Sequence, residues 1–265
     1  MRNWLKYFIL FTSVAFISAT KSSSLREFKI TGFAQGTTYS INYFASDSLV
    51  TKNQIDSILN VIDLSMSLYK PNSTISKFNK MPQGKIKIDA HIKNVLIKSF
   101  QINKETDGLF DITIQPLMRL WGFYKDGSNN GPDTARIKNF LAITGMDKIA
   151  LKKDFLSKAN NHIEIDLNGI AQGYTVDVIA DLLESKSINA YVVEVGGEVR
   201  AKGPKPNGQT IKIGIEGPTK NVYADASIKH IVSFNEGAIT TSGNYRKFIT
   251  FNGKNYGHIN NPKTG

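Results

Sequence analysis

Residues 166–177 read DLNGIAQGYTVD, a combination of residue types that could bind an anion. Gly169 and Gly173 lie where a helix is expected to begin, although glycine inside a helix costs about 1 kcal/mol relative to alanine. A strand, a glycine turn and a helix N-terminus present free backbone N–H groups to a phosphate, and glycine lets a ligand approach closely. The structural alternative is that Asp166 and Asn168 cap the helix, while the glycines allow close helix–sheet packing. The residues alone leave both interpretations open.

Three further clusters carry polar or aromatic residues: residues 107–123 (DGLFDITIQPLMRLWGF), 240–248 (TTSGNYRKF) and 257–265 (GHINNPKTG). The last contains His258, which follows a hairpin strand and precedes the turn expected at Pro262. Loop positions held by a rigid sheet often carry catalytic groups, so His258 is the histidine we single out. The other histidines are expected to be structural or exposed: His91, His162 and His230.

The periodicities that must position these clusters favour an α+β fold with mostly antiparallel sheets and flanking helices, rather than a doubly wound parallel sheet. Helices are predicted from Thr51 to Ser67, from Asp89 to the TDG segment, and after the glycine turn near residue 170. IEIDL at residues 163–167 is predicted as a strand. Hairpins are predicted around Gly36, at the Gly-Gly pair after residue 195, and at Asn252-Gly253.

The amino terminus predicts export. Residues 1–20 have a basic start, a short apolar run and small residues at the end, which is typical of a secretory signal peptide. The chain has no cysteine, and its net charge of +11 suggests an anionic partner. Because the lysines are scattered and the expected location is periplasmic or on the outer face of the inner membrane, nucleic acid is not an expected partner. Residues 21–265 are expected to form one domain beside the membrane.

Seven segments, in order, resemble the ApbE family of FAD:protein FMN transferases: GFAQGTTYSI, SLYKPNSTISKFN, DGLFDITIQPLMRLWGF, DLNGIAQGYTVD, VVEVGGEV, ITTSGNYRKF and GHINNPKTG. They span residues 32–265. The resemblance implies Mg²⁺-dependent cleavage of the FAD diphosphate and transfer of FMN, through its phosphate, to a threonine or serine of an exported or membrane flavoprotein, with release of AMP.

The resemblance also implies the roles of individual residues. His258 matches the proposed general base, and the backbone carbonyl of Ala171 matches a magnesium ligand. The positions that match FAD contacts are Gln35, Tyr69, Leu109, Phe110, Asp111, Asn168, Tyr174, Asp177 and Asn260. Many relatives carry methionine where this chain has Gln35, which implies a changed contact with the flavin.

Two departures from the family pattern bear on the site. Asn261 stands where relatives usually have aspartate. Relatives also continue past the Thr-Gly motif to an Ala-Asp-x-x-x-Thr segment that completes the magnesium site, whereas this sequence ends at Gly265. The expectation is a fragment that lacks its C-terminal segment, or a protein with an incomplete metal site. Two other functions stay open: a Mg²⁺-dependent FAD pyrophosphatase that yields FMN and AMP, and an exported FAD-binding protein without enzyme activity.

Overall fold

The structure, a computed structural model, describes residues 24–124, 134–217, 227–243 and 248–265. The leader predicted at residues 1–20 lies outside the described residues. Residues 244–247, which belong to the cluster at residues 240–248, also lie outside them. Across the described ranges, every strand pair is antiparallel. No helix in these ranges is both long enough and apolar enough to cross a membrane.

The helices are α1 (Lys52–Met66), α2 (Thr74–Lys80), α3 (Ala90–Glu105), α4 (Gln115–Leu120), α5 (Thr134–Ile143) and α6 (Ala171–Ser185). The strands are β1 (Arg26–Ala34), β2 (Thr37–Ala45), β3 (Gly84–Lys87), β4 (Ile149–Lys152), β5 (Phe155–Lys158), β6 (Tyr191–Val195), β7 (Glu198–Lys202), β8 (Ile211–Glu216), β9 (Ile228–Phe234), β10 (Glu236–Ile239), β11 (Phe248–Phe251) and β12 (Lys254–Gly257). Short 3₁₀ turns precede α4 and β4.

The strands form a five-stranded sheet in the order β1-β2-β6-β7-β10, a three-stranded sheet in the order β3-β5-β4, and the hairpins β8-β9 and β11-β12. Two hydrophobic cores result. The first lies between the five-stranded sheet and helices α1 and α6, and it contains three fully buried tyrosines, Tyr39, Tyr43 and Tyr191. The second packs α1, α2 and α3 against the three-stranded sheet around Phe78 and Leu156. Helices α1 and α6 contribute to both cores.

The helix predictions are confirmed, and their ends follow from capping. Thr51 caps α1 through a reciprocal capping box with Gln54, and Asp89 caps α3 by accepting from the backbone N–H of Ile92. The hairpin predictions are also confirmed. Asn252 and Gly253 have φ values of 50° and 72°, which the left-handed positions of a primed turn require.

One strand prediction is wrong. Residues 163–167 are extended and alternately buried, but they join no sheet. The side chain of Asn79 takes the place of a neighbouring strand, because its Oδ1 accepts from Ile165 N at 2.8 Å and its Nδ2 donates to Ile165 O at 2.9 Å. Asp166 N donates to Ile112 O at 2.7 Å. The apolar residues therefore alternate because one side of the segment is buried. Its backbone hydrogen bonds go to Asn79 and Ile112 and not to a neighbouring strand.

Candidate active site

A cleft of about 790 Å³ opens where the two cores meet. Its walls come from the β1–β2 turn, the end of α1, the segments after α3 and α4, the start of α6, the β6–β7 turn and the segment after β12. This volume lies within the usual range for small-molecule sites. Each wall is an element end or a turn, so side chains far apart in sequence converge on one space.

Most of the predicted site residues line this cleft: Gln35, Tyr69, Leu109, Phe110, Asp111, Asn168, Ala171, His258 and Asn260. Tyr69 and Leu109 are strongly exposed, with 69% and 56% of their surfaces accessible. Exposed apolar surface of this kind, beside polar groups, is suited to contact the planar ring of a ligand. The structure thus brings together residues from positions 35 to 260.

Two predicted contacts lie outside the cleft lining. The Tyr174 hydroxyl is 2.9 Å from Nδ1 of His91, and the Asp177 carboxylate is 3.0 Å from a guanidinium nitrogen of Arg200. Both residues lie on α6, after its cleft-lining residues Ala171 and Gln172. The structure gives both residues partners within the chain, and their assignment as FAD contacts stays a prediction.

The start of α6 argues against the structural interpretation of the glycine turn. The N-cap is Ile170 and it makes no side-chain capping bond, so capping by Asp166 or Asn168 is wrong. A methyl group placed on Gly173 would have no neighbour within 4 Å, and one on Gly169 would meet only Phe110 at 3.9 Å. Close packing among the described residues therefore does not require either glycine. The open space they leave beside uncapped N–H groups is suited to an anionic ligand.

A chain of hydrogen bonds connects the β1–β2 turn to α6. Gln35 occupies a left-handed turn position with φ of 54°, and its Nε2 donates to Thr175 Oγ1 at 2.9 Å. The Thr175 hydroxyl, which is fully buried, donates to the carbonyl oxygen of Ala171 at 2.8 Å. The amide of Gln35 thus donates a hydrogen bond to α6 that a methionine at this position could not donate.

A second polar cluster also lines the cleft. The Tyr124 hydroxyl donates to Asp166 Oδ2 at 2.5 Å, and Asp166 Oδ1 accepts from the backbone N–H of Asn168 at 2.7 Å. Burial, with the nearby Asp166 charge, raises the pKa of the Tyr124 phenol, so it remains a donor. Asp111, a predicted FAD contact, also has a structural role. It caps the 3₁₀ turn through Thr113, and burial raises the pKa of its carboxyl group.

Two buried oxygen atoms on cleft-lining residues have no hydrogen-bond partner among the described residues: Oε2 of Glu198 and Oδ1 of Asn260. Burial raises the pKa of the Glu198 carboxyl group. Buried polar atoms normally have partners, so these two oxygens mark places where a bound ligand or water would complete the site.

His258 directly follows β12, at the edge of the cleft. Its ring meets Phe123 edge to face, with 6.5 Å between centroids. The turn after it is held by Asn261, whose Oδ1 accepts from Lys263 N at 2.9 Å. An amide serves in this turn as well as a carboxylate would, which gives the departure at Asn261 a local structural role.

The described residues do not by themselves complete a magnesium site. They contain no group of three or more histidine, aspartate or glutamate side chains arranged to hold a metal ion. Ala171 lines the cleft, and its carbonyl oxygen accepts a hydrogen bond from Thr175. Mg²⁺ requires near-octahedral oxygen coordination, usually with one or two carboxylates, water and substrate phosphates.

Sequence reasoning missed several cleft residues: Phe123, Tyr124, Gln172, Glu198, Thr241 and Ser242. It considered Asp166 only as a cap. A usable signal existed for Glu198, because it directly follows the Gly-Gly turn of a hairpin, and turns held by a sheet often carry functional groups. No local signal indicated that Tyr124 would reach Asp166, 42 residues away in the chain.

A family model described as the ApbE family matches residues 35–265. The chain belongs to the ApbE family. Among curated members, it is 34% identical to the FAD:protein FMN transferase of Haemophilus influenzae, with 97% of this chain and 77% of that protein covered. It is 33% identical to the protein of the same name from Vibrio cholerae, with 100% and 79% covered.

Solved structures of the ApbE family confirm the fold class. The flavin transferase ApbE from Vibrio cholerae superposes with a TM-score of 0.79 at 32% identity, and 91% of this chain and 77% of that chain are covered. The apo form of the Pseudomonas stutzeri flavinyl transferase ApbE gives the same TM-score at 30% identity, with 91% and 76% covered. The predicted α+β fold with antiparallel sheets is therefore correct.

Proposed function

We propose that this chain is an FAD:protein FMN transferase, which moves FMN from FAD to a threonine or serine hydroxyl of an acceptor protein and releases AMP. The observation that carries the proposal is the convergence of nine family-matched positions on one cleft, in a chain that is 34% identical to a curated transferase over 97% of its length. The proposal includes two further details: the attacking group is a threonine or serine hydroxyl, and the acceptor is an exported protein.

The chemistry needs one bond to form and one to break. The acceptor oxygen attacks the phosphorus on the FMN side of the diphosphate, a new P–O bond forms, and the bridging P–O bond breaks so that AMP leaves. The acceptor's proton goes to His258, whose imidazole is a suitable base near neutral pH. Because phosphoryl transfer depends mainly on positioning and charge stabilisation, the other cleft residues have binding roles.

The cleft offers distinct surfaces for the two parts of FAD. Tyr69, Leu109 and Phe110 provide aromatic and apolar surface for the isoalloxazine ring. The uncapped start of α6 provides N–H groups for the diphosphate. The unpartnered Oδ1 of Asn260 is available to accept a hydrogen bond from the ligand.

We also propose that the reaction requires Mg²⁺. The support is chemical: a divalent cation neutralises the charge that develops on the transferred phosphoryl group. The resemblance assigns the Ala171 carbonyl to this ion, and the remaining ligands would come from phosphates, water or residues outside the described set. A requirement for Mg²⁺ is checked by titrating the metal into chelator-treated protein and measuring both AMP release and FAD affinity.

We propose that the protein acts outside the cytoplasm. The support is the layout of residues 1–20, which has a basic start, a short apolar run and small residues at its end. A fusion of these residues to a reporter that is active only after export tests the proposal. Cytoplasmic retention of the reporter would contradict it.

The central experiment incubates the protein with FAD, Mg²⁺ and a threonine-bearing acceptor, then measures flavin fluorescence in a denaturing gel. Covalent fluorescence supports transfer. Free FMN with AMP supports the pyrophosphatase, and unchanged FAD supports a binding protein.

His258→Ala tests the base assignment. We expect covalent labelling to fall by about 10²–10⁴-fold, the usual contribution of a positioned base, while the Kd for FAD changes by less than about threefold. His162→Ala is the matched control, because His162 is exposed and lies outside the cleft lining. Labelling that survives in His258→Ala, or a loss of FAD binding, would refute the base role.

A further inference from the structure

The outer face of the three-stranded sheet carries an unusual set of side chains. In the register of the sheet, Lys87 lies opposite Phe155 on one side and Lys152 lies opposite Phe155 on the other. The three residues therefore form one row across all three strands. Phe155 is exposed, with 39% of its surface accessible, whereas its neighbour Leu156 points into the second core and is fully buried. Strand alternation thus separates an apolar inner face from this outer row.

Two more lysines enlarge the row into a surface. Lys85, two residues before Lys87 on β3, places its ammonium nitrogen 5.1 Å from the centre of the Phe155 ring. Lys153 is exposed in the turn between β4 and β5. We call Lys85, Lys87, Lys152, Lys153 and Phe155 together the lysine face.

The lysines of the lysine face form no ion pairs within the described part of the chain. Among the described residues, no carboxylate oxygen lies within 4.0 Å of the ammonium nitrogen of any of its four lysines. The adjacent carboxylate, Asp154, is instead paired with Lys93 at 2.8 Å. That pairing, with Lys87 nearby, holds the pKa of Asp154 below its usual range, so the aspartate stays ionised beside Lys93.

The combination of one exposed aromatic ring with surrounding lysines fits the headgroup region of a membrane. Aromatic side chains insert at that depth, and lysines extend their ammonium groups to lipid phosphates while their methylene stems cover apolar surface. Three short strands about 4.8 Å apart bring these side chains onto one small surface. Single-stranded nucleic acid, by contrast, is usually bound by several stacking aromatics along a groove. We propose that the lysine face docks this protein on an anionic lipid surface.

The test measures binding of the full chain to vesicles by co-sedimentation. One set contains phosphatidylcholine with 30% phosphatidylglycerol, and the other contains phosphatidylcholine alone. Because the apolar residues near the amino terminus are common to every variant, the quantity of interest is the ratio of the two partition coefficients. We expect this ratio to exceed about a hundred at low salt, because four lysines contribute about fivefold each. It should approach one in about 0.5 M salt, where charges are screened within a few ångströms.

The triple variant K85E/K87E/K152E should lower the ratio by about a hundredfold or more, because each lysine near an anionic surface contributes about a fivefold change in partitioning. The control variant K29E/K186E/K212E changes the net charge equally, at exposed lysines on β1, after α6 and on β8. We expect the control to lower the ratio by less than about fivefold. Phe155→Ala should weaken binding to anionic vesicles severalfold, including at high salt.

Equal losses in the two triple variants would overturn the proposal, since net charge alone would then explain the binding. Tighter binding to duplex DNA than to anionic vesicles at the same salt concentration would also overturn it. The Kd for FAD checks folding and keeps this test apart from the proposed function: it should be unchanged within about twofold in K85E/K87E/K152E, because no residue of the lysine face lines the cleft. If K85E/K87E/K152E loses FAD binding, Lys87→Gln and Lys152→Gln separately decide the outcome, each with an expected loss of about fivefold.

Discussion

The hydrogen-bond chain from Gln35 to Ala171 gives the sharpest quantitative prediction. Thr175→Val removes the buried hydroxyl and keeps the shape of the side chain, so the contacts of its methyl group are preserved. Two hydrogen bonds are lost: the one that Gln35 donates at 2.9 Å and the one that Ala171 O accepts at 2.8 Å. Gln35→Met removes only the first of these bonds and restores the residue type that the family resemblance leads us to expect at that position.

The expected magnitude follows from where each partner lies. Gln35 lines the open cleft, so water can replace part of its lost hydrogen bond, whereas Thr175 is fully buried. A hydrogen bond of this kind contributes about 0.5–1.5 kcal/mol to the free energy of unfolding. Thr175→Val should therefore lower the free energy of unfolding by about 1–2 kcal/mol. That corresponds to a decrease of a few degrees in Tm for a chain of this size.

A double-mutant cycle isolates the bond between the two side chains. Urea denaturation of the parent, Gln35→Met, Thr175→Val and the double variant should give a coupling free energy of about 0.5–1.5 kcal/mol. Fluorescence titration with FAD provides the second measurement, and we expect Thr175→Val to weaken binding because the β1–β2 turn loses its attachment to α6. Additivity of the two substitutions within about 0.3 kcal/mol would refute the reasoning.

Two further predictions concern titratable groups on the cleft wall. Because burial raises the pKa of Glu198, the native state holds this proton at pH values where the unfolded carboxyl group, with a pKa of about 4.3, has lost it. The stability contributed by the protonated form is therefore full below about pH 4.3 and falls as the pH rises through the native pKa. Glu198→Gln should flatten this part of the stability curve of the ligand-free protein, and urea midpoints between pH 4.5 and 8 that run parallel to those of the parent would contradict the assignment. Tyr124→Phe removes the 2.5 Å bond to Asp166 and should lower the free energy of unfolding by about 1.5–3 kcal/mol, as for a hydrogen bond to a charged group, with weaker FAD binding. An unchanged urea midpoint would show that water replaces the phenol.

The elements that follow local rules could be predicted from the sequence. Helix α1 combines a capping box at Thr51 with apolar residues at helical spacing, and its observed bounds match the prediction. The turn at Asn252-Gly253 likewise depends on two adjacent residues that tolerate positive φ. Such features need no knowledge of the rest of the molecule.

Features that depend on distant residues could not be predicted in this way. Residues 163–167 have the alternation of a strand, but the side chain of Asn79, 86 residues away from Ile165, takes their backbone hydrogen bonds. For Tyr174, the family resemblance implies a ligand contact, but no pattern in the sequence indicated that its hydroxyl would also lie beside His91 on α3. In both cases the deciding partner comes from another element, and one-dimensional periodicity does not carry that information.

The position of the cleft between two cores explains why a polar tie at Gln35 matters. The β1–β2 turn belongs to the sheet of the first core, whereas Ala171, at the start of α6, packs against the second core. The bond from Gln35 to Thr175 therefore connects a wall built on one core to a wall that contacts the other. Methionine at position 35 would fill space but could not donate this bond. The buried hydroxyl of Thr175 accepts the hydrogen bond from Gln35. The same hydroxyl donates a hydrogen bond to Ala171 O. The two positions are thus expected to act as one unit in setting the width of the cleft.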